Sequence, residues 1–243
     1  MSGVLLVARR ELWGYLRSPV GYLLAALTLL VDGLLFVAYA VGEAGAKRYS
    51  AFVLQQFFYG LSGVTMFCCT LLAMRLIAHE EEHATLVLLK TSPLKDRQIV
   101  LGKYLSVMVA VLAITLLTLY MPALIFVRGR VSVGHIAIGY LGIALLASAV
   151  TAIGIFASSL ARTQLVAVIL AAVMVAAMLL LWWVARVSDP PVKDFVNGLA
   201  LHHKRQFDFM DGVLRLENVA YYLSVTVFFL LAAQKTLEAR RWR

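Results

Sequence analysis

Apolar residues run along this chain in six long stretches, at about 19–41, 57–78, 98–126, 135–160, 164–187 and 218–237. A helix needs about 20 residues to cross a hydrocarbon core of about 30 Å, and each stretch meets that length. The third is longer than a span requires, so its first turns are expected to project beyond the bilayer. The fourth and fifth are joined only by Ala161-Arg162-Thr163. The pattern predicts an all-α integral membrane fold with six transmembrane helices.

Three polar or mixed segments interrupt this pattern. Residues 4–16 are too short and too charged to span. Val4, Leu5, Ala8, Leu12, Tyr15 and Leu16 fall near one helical face, while Arg9, Arg10 and Arg17 can point to water or headgroups. An amphipathic helix lying in the membrane interface is expected here. Ser18-Pro19 then starts the first span, with Ser as N-cap and Pro at the first helical position. Between the second and third spans, residues 79–97 begin with acid, at Glu80, Glu81 and Glu82, and end with base. Leu86, Leu88 and Leu89 make an apolar patch of one turn in their middle, and Ser92-Pro93 restarts a helix. A short amphipathic helix, a break and a long span suit a part that touches another protein. The last segment, 188–217, is amphipathic and mixed in charge and opens on Pro190-Pro191.

Composition agrees with the pattern. Hydrophobic residues make up 62% of the chain and charged residues 14%, against roughly 25% charged in soluble domains; the mean hydropathy is +0.88. Six spans leave no room in 243 residues for a large soluble domain. The net charge of +9 reads as topology and contact with anionic headgroups, and no basic and aromatic surface for nucleic acid is evident. Basic residues favour a cytoplasmic N-terminus and C-terminus, the inner set including Arg75, Lys90, Lys95, Arg97, Lys103, Arg162 and Lys235. In that orientation Trp182, Trp183, Tyr221 and Tyr222 form part of an outer aromatic belt. Cys68 and Cys69 lie inside an apolar run and read as small buried residues. No signal peptide is expected, because charges break the N-terminal segment before any long apolar run.

Candidate chemistry is sparse. His79-Glu80-Glu81-Glu82-His83 matches H-E-x-x-H, which on a helix sets two imidazoles one turn apart for a zinc ion with Glu80 as general base. An intramembrane zinc metalloprotease is therefore the alternative function. The pattern fixes only three residues and no third ligand is evident, so a charged helix end at the membrane boundary is the preferred reading. Gly102-Lys103 resembles the end of a phosphate loop, but Tyr104 follows and no Gly precedes at the required spacing, so no P-loop is present. No catalytic residue and no metal ligand is assigned. Asp32 lies mid-span, where a carboxylate is costly; it is expected to bond a neighbouring helix, or else to mark a pathway or a proton-coupled group. Small residues stud the fourth span from Gly139 to Ser159 and allow close helix packing.

Thr85-Leu86-Val87-Leu88-Leu89-Lys90-Thr91-Ser92-Pro93-Leu94, followed by Ile99-Val100-Leu101-Gly102-Lys103-Tyr104-Leu105, resembles the signature of ABC-2-type permeases, the membrane subunits of type V ABC exporters. Arg10-Glu11-Leu12, with Tyr15-Leu16-Arg17-Ser18-Pro19-Val20-Gly21-Tyr22, is similar to the same family, closest in look to its gliding-motility and nitrous-oxide-reductase-maturation branches. Ala84 stands where the family commonly has Gly, and Val87 where it has Glu.

The resemblance implies a single transmembrane domain over 1–243. Its parts would be an interfacial helix (1–18), a cytoplasmic coupling segment (79–97) and an outward-facing helical hairpin (188–217). It implies docking on a separate ABC ATPase through Glu81, Glu82, Thr85, Leu86, Leu88, Leu89 and Lys90, assisted by an interfacial helix carrying Arg9, Arg10, Glu11 and Arg17. The 161–164 link would be a smaller contact. ATP and Mg would be bound by that partner, with no cofactor in this chain, which would not itself be an enzyme. A second permease subunit, identical or related, and membrane lipid complete the expected partners, and an extracytoplasmic accessory protein is compatible. The implied setting is the bacterial cytoplasmic (inner) membrane. A purely structural membrane anchor is a third reading.

Overall fold

The computed structural model describes residues 3–41, 50–83, 95–128, 132–189 and 192–241. Among these residues the chain is helical, with no strand. In order, the elements are α1 (Gly3–Arg17), α2 (Pro19–Phe36) continued by a π-helical turn (Val37–Val41), α3 (Ser50–Met74), α4 (Ala78–Glu82), α5 (Asp96–Leu117), α6 (Tyr120–Arg128), α7 (Val133–Leu160), α8 (Gln164–Val187), α9 (Val192–Leu199), α10 (His203–Met210) and α11 (Leu216–Arg241). Among the described residues, six helical stretches are long and apolar enough to cross a membrane: Pro19–Tyr39, Ser50–Glu82, Asp96–Ile125, Val133–Leu160, Gln164–Val187 and Leu216–Arg240. They match the six apolar runs of the sequence.

Local chemistry sets most of the ends. Ser18 Oγ accepts from the Val20 amide while Pro19 opens α2. Thr163 and Ser132 cap α8 and α7 in the same way. The third span breaks at Thr118–Leu119, because Pro122 has no amide to give the Thr118 carbonyl and its ring crowds that turn. The carbonyl is taken instead by the Met121 amide at 3.0 Å, and the Thr118 hydroxyl pairs with Tyr140 Oη at 2.9 Å. The second span starts earlier than its apolar run suggests, since Val53 and Leu54 are already in the core and Gln55 Nε2 donates to Asp211 at 2.7 Å.

The centre of the bundle is α7, which packs against α3, α8 and α11. Its small residues permit this. A Cβ on Gly139 would meet the Phe58 ring at 2.2 Å, and one on Gly154 would meet Ala73 Cβ at 2.4 Å. Cys68 and Cys69 are buried in the same core. By contrast α2 and α8 turn most of their apolar surface outward, including Leu23, Leu30 and Leu34 on one and Leu165, Ile169 and Val173 on the other. That pattern suits lipid or another apolar partner.

The 188–217 segment folds as two short helices, α9 and α10, joined at 200–202. It is bonded closely to the bundle. His202 Nε2 and Ser62 Oγ lie 2.7 Å apart, and His135 Nε2 reaches the Met210 carbonyl at 2.6 Å. The absent Cβ of Gly142 makes room for Phe209. Tyr222 corrects one expectation. It is not part of an aromatic belt but fully buried, donating to the Leu201 carbonyl at 2.8 Å and to Gln206 Oε1 at 3.1 Å. Trp183 is exposed, as a belt residue would be.

Candidate functional site

The opposite end of the bundle from α9 and α10 gathers α1, α4, the start of α5, the 161–163 corner and the end of α11. Four charged side chains from three of these elements meet there. Lys103 Nζ donates to Glu11 Oε1 at 2.9 Å and lies 3.0 Å from Glu80 Oε1; Arg10 Nη2 donates to Glu80 at 2.8 Å and to Glu11 at 3.1 Å. Acids and bases alternate, so each charge faces two of opposite sign. The Lys103 side chain is 1% exposed, Glu80 10%, Glu11 20% and Arg10 58%. A buried ammonium is tolerable only when paired in this manner. Burial works to raise the Glu11 carboxyl, but the charges of Lys103 and Arg10 prevail and hold it below the usual carboxylate range. Burial works to lower the Arg10 guanidinium, and its two carboxylate partners nevertheless raise it.

Close backbone approach delivers Glu11 to Lys103. A Cβ on Gly102 would lie 2.6 Å from Val7 Cβ and 2.9 Å from the Val4 carbonyl oxygen, so only glycine lets α1 lie this close to α5. The face that α1 buries is therefore Val7 and Ala8, flanked by Val4, Glu11 and Tyr15. The sequence pattern sets Leu5 and Leu16 on the same apolar face as Val4, Ala8 and Tyr15. Both are more than half exposed, as is Leu6, and Trp13 is exposed too, because the contact at Gly102 is made by Val7 and Val4. The exposed leucines and Trp13 remain available to a lipid interface, with Arg17 stacked over the Trp13 ring. Arg9 is also exposed.

A second set of contacts fixes α4. Ser158 Oγ, on α7, accepts from the Ile77 and Ala78 amides at 3.1 and 2.9 Å and donates to the Met74 carbonyl at 3.1 Å. It satisfies two amides freed by the turn at 75–77. Gln164 Nε2 bridges Glu82 Oε2 and His79 Nδ1, each at 3.0 Å. Arg240 reaches Glu81 at 3.4 Å and donates to the Leu160 carbonyl at 2.9 Å. The two segments read as separate contacts, 79–97 and 161–164, are thus joined to one another.

This arrangement bears on the H-E-x-x-H motif. The imidazoles of His79 and His83 are one turn apart, with ring centres 4.2 Å apart. Glu80, the residue a protease would need beside metal-bound water, is shared by Lys103 and Arg10. Among the described residues no group of three His, Cys, Asp or Glu is placed to hold a metal. The motif's side chains are engaged in packing contacts, which does not favour the protease reading.

Of the expected docking residues, Glu81 and Glu82 are placed as above. Thr85, Leu86, Leu88, Leu89 and Lys90 lie outside the described residues. Asp32 sits far from this end, inside the bundle, and among the described residues it makes no bond to a neighbouring helix, contrary to the expected interhelical contact. Lys103 and Glu80 are not among the expected docking or interfacial residues; the sequence offers Glu80 only as the general base of the alternative reading and Lys103 as an inner cation.

The family model of the ABC-2 family transporter protein matches residues 9–182, which is more than half of the chain and includes the second half of α1, the ion cluster, the first four spans and most of the fifth. The chain belongs to the ABC-2 transporter family and is a multi-pass membrane permease subunit of an ABC transporter. A search of curated proteins finds no match.

Proposed function

We propose that this chain is one transmembrane domain, spanning 1–243, of an ATP-driven type V exporter or mechanical transmitter, and that its α1–α4–α5 end receives movement from a separate ABC ATPase. The observation that carries the reading is the Arg10–Glu11–Glu80–Lys103 cluster. It ties the interfacial helix to the end of the second span and the start of the third, so a push on any one of the three elements is passed to the others through paired buried charges.

The amphipathic 84–90 stretch follows α4 directly in sequence, and Leu86, Leu88 and Leu89 supply the apolar anchor that an ATPase groove would take. Thr85 and Lys90 flank that anchor, with Glu81 and Glu82 at its root. Arg9 and Arg17 on α1 face outward at the same end. ATP and Mg belong to the ATPase.

In this reading the end bearing α1 faces the cytoplasm of a bacterial inner membrane, in accord with its basic residues, and α9–α10 caps the outer side. The outward apolar faces of α2 and α8 are the surfaces for lipid and for a second permease subunit, identical or related. The gliding-motility or nitrous-oxide-reductase-maturation type is the closest branch by motif.

Reconstitution tests the reading. The chain alone should hydrolyse no ATP. Together with a separate ABC ATPase subunit, it should support hydrolysis that falls when the cluster is broken at Lys103. Robust hydrolysis by the single purified chain would contradict it.

A further inference from the structure

Asp32, in α2, is 1% exposed. Both of its carboxyl oxygens are buried, and among the described residues neither has a hydrogen-bond partner. The residue lies well inside the Pro19–Tyr39 span, beside the aromatic core that contains Phe36. Among the described residues, the Cys68 thiol on α3 and the Tyr140 phenol on α7 lie within electrostatic reach of it. Tyr140 is already paired with Thr118, and Thr28, one turn before Asp32, donates to the Leu24 carbonyl at 2.7 Å. No charged side chain among the described residues acts on Asp32 from any helix packed against it.

A carboxylate in this setting would carry a full charge with neither counter-charge nor donor, which is unfavourable in a low-dielectric interior. The neutral acid carries no such charge. We propose that Asp32 is a proton-binding site: in this conformation the bundle holds a carboxylic acid there, and its proton exchanges with solution when the surrounding helices move. The ligand is the proton itself, and the inference stands independently of the ATPase reading. Neither the ion cluster nor the α1 contact involves Asp32.

Infrared spectroscopy of the full chain in lipid vesicles at neutral pH tests this. The spectrum should contain a protonated-carboxyl C=O band that Asp32→Asn removes and Asp32→Glu shifts. Transfer to heavy water should move the band as the O–H becomes O–D. Carboxylate bands alone in the difference between wild type and Asp32→Asn would overturn the proposal. So would a carboxyl band that does not move after prolonged incubation in heavy water, since the proton would then be locked in. If Asp32→Asn does not fold, the wild type against Asp32→Glu carries the same comparison. As a second readout, an apolar carbodiimide should add to the acid. The O–H adds across a C=N bond and the adduct rearranges to an N-acylurea, so Asp32 gains the mass of one carbodiimide and loses nothing. Intact-peptide mass spectrometry should find that adduct at Asp32 and none at the position in Asp32→Asn; an Asp32 unmodified while other buried acids react would count against the neutral form.

Discussion

Lys103 Nζ lies 3.0 Å from Glu80 Oε1 with 1% of the lysine side chain exposed, so the start of the third span and the end of the second are joined by a desolvated ion pair. Removing one member of such a pair leaves an uncompensated buried charge and costs about 3–5 kcal/mol. Lys103→Met should therefore be strongly destabilising in detergent unfolding. Glu80→Gln should cost less, because Glu11 still faces the ammonium. In a double-mutant cycle the two positions should show coupling above about 0.5 kcal/mol. Additive effects would mean that the cluster transmits nothing between these elements.

Gly102→Leu should detach α1. The new side chain would begin 2.6 Å from Val7 Cβ and 2.9 Å from the Val4 carbonyl oxygen, and overpacking of this kind costs about 1–3 kcal/mol. Hydrogen exchange of the α1 amides should accelerate while the spans keep their protection. Unchanged protection over residues 4–16 would show that α1 does not depend on this contact.

The docking of α1 should be pH-dependent in a stated direction. The Glu11 carboxyl is held below its ordinary value of 4.5 by Lys103 and Arg10, against the effect of burial. An acid lowered in the folded state contributes stability that is fully present above the unfolded value and is lost as pH falls through the folded one. Protection of the α1 amides, taken relative to their intrinsic exchange at each pH, should thus be flat above about pH 5 and fall at lower pH, and Glu11→Gln should remove that dependence.

A second pH effect belongs to the other end. Burial, with a smaller contribution from neighbouring His203, lowers His202 from 6.5 to about 4, so the folded protein holds it neutral against Ser62. The neutral form's stabilising contribution is present above 6.5 and is lost as pH falls from there to about 4, by on the order of 3 kcal/mol in all. Thermal unfolding should show a decline across that window that His202→Gln abolishes.

The six apolar spans and the helical character of residues 3–17 were legible because hydropathy, length and periodicity decide them, and Ser-Pro and Ser/Thr caps mark several of their starts. The ion cluster was not, because its members lie on three elements distant in sequence and charge patterning along one helix cannot bring them together. Lys103 was met as a failed phosphate loop and as one more inner cation. Its place inside the apolar run that follows Ile99-Val100-Leu101 was the signal that it needs a buried acid. Glu11 carried a similar signal, falling one turn after Val7 and one before Tyr15 on what proves to be the packed face. Asp32 was legible as an anomaly, but only the packing of α3 and α7 around it reveals that both oxygens lack a partner among the described residues.

In the proposed function, residues 79–97 dock a separate ABC ATPase. Burying one leucine contributes about 1.5–3 kcal/mol, so Leu86→Asp combined with Leu89→Asp should abolish docking while leaving the spans untouched. The decisive measurement is co-purification of the ATPase with the full chain from membranes, read beside ATP hydrolysis by the complex. The double variant should insert and accumulate like wild type, yet lose the ATPase and its coupled hydrolysis. Wild-type recovery of the ATPase with unchanged hydrolysis would contradict the account.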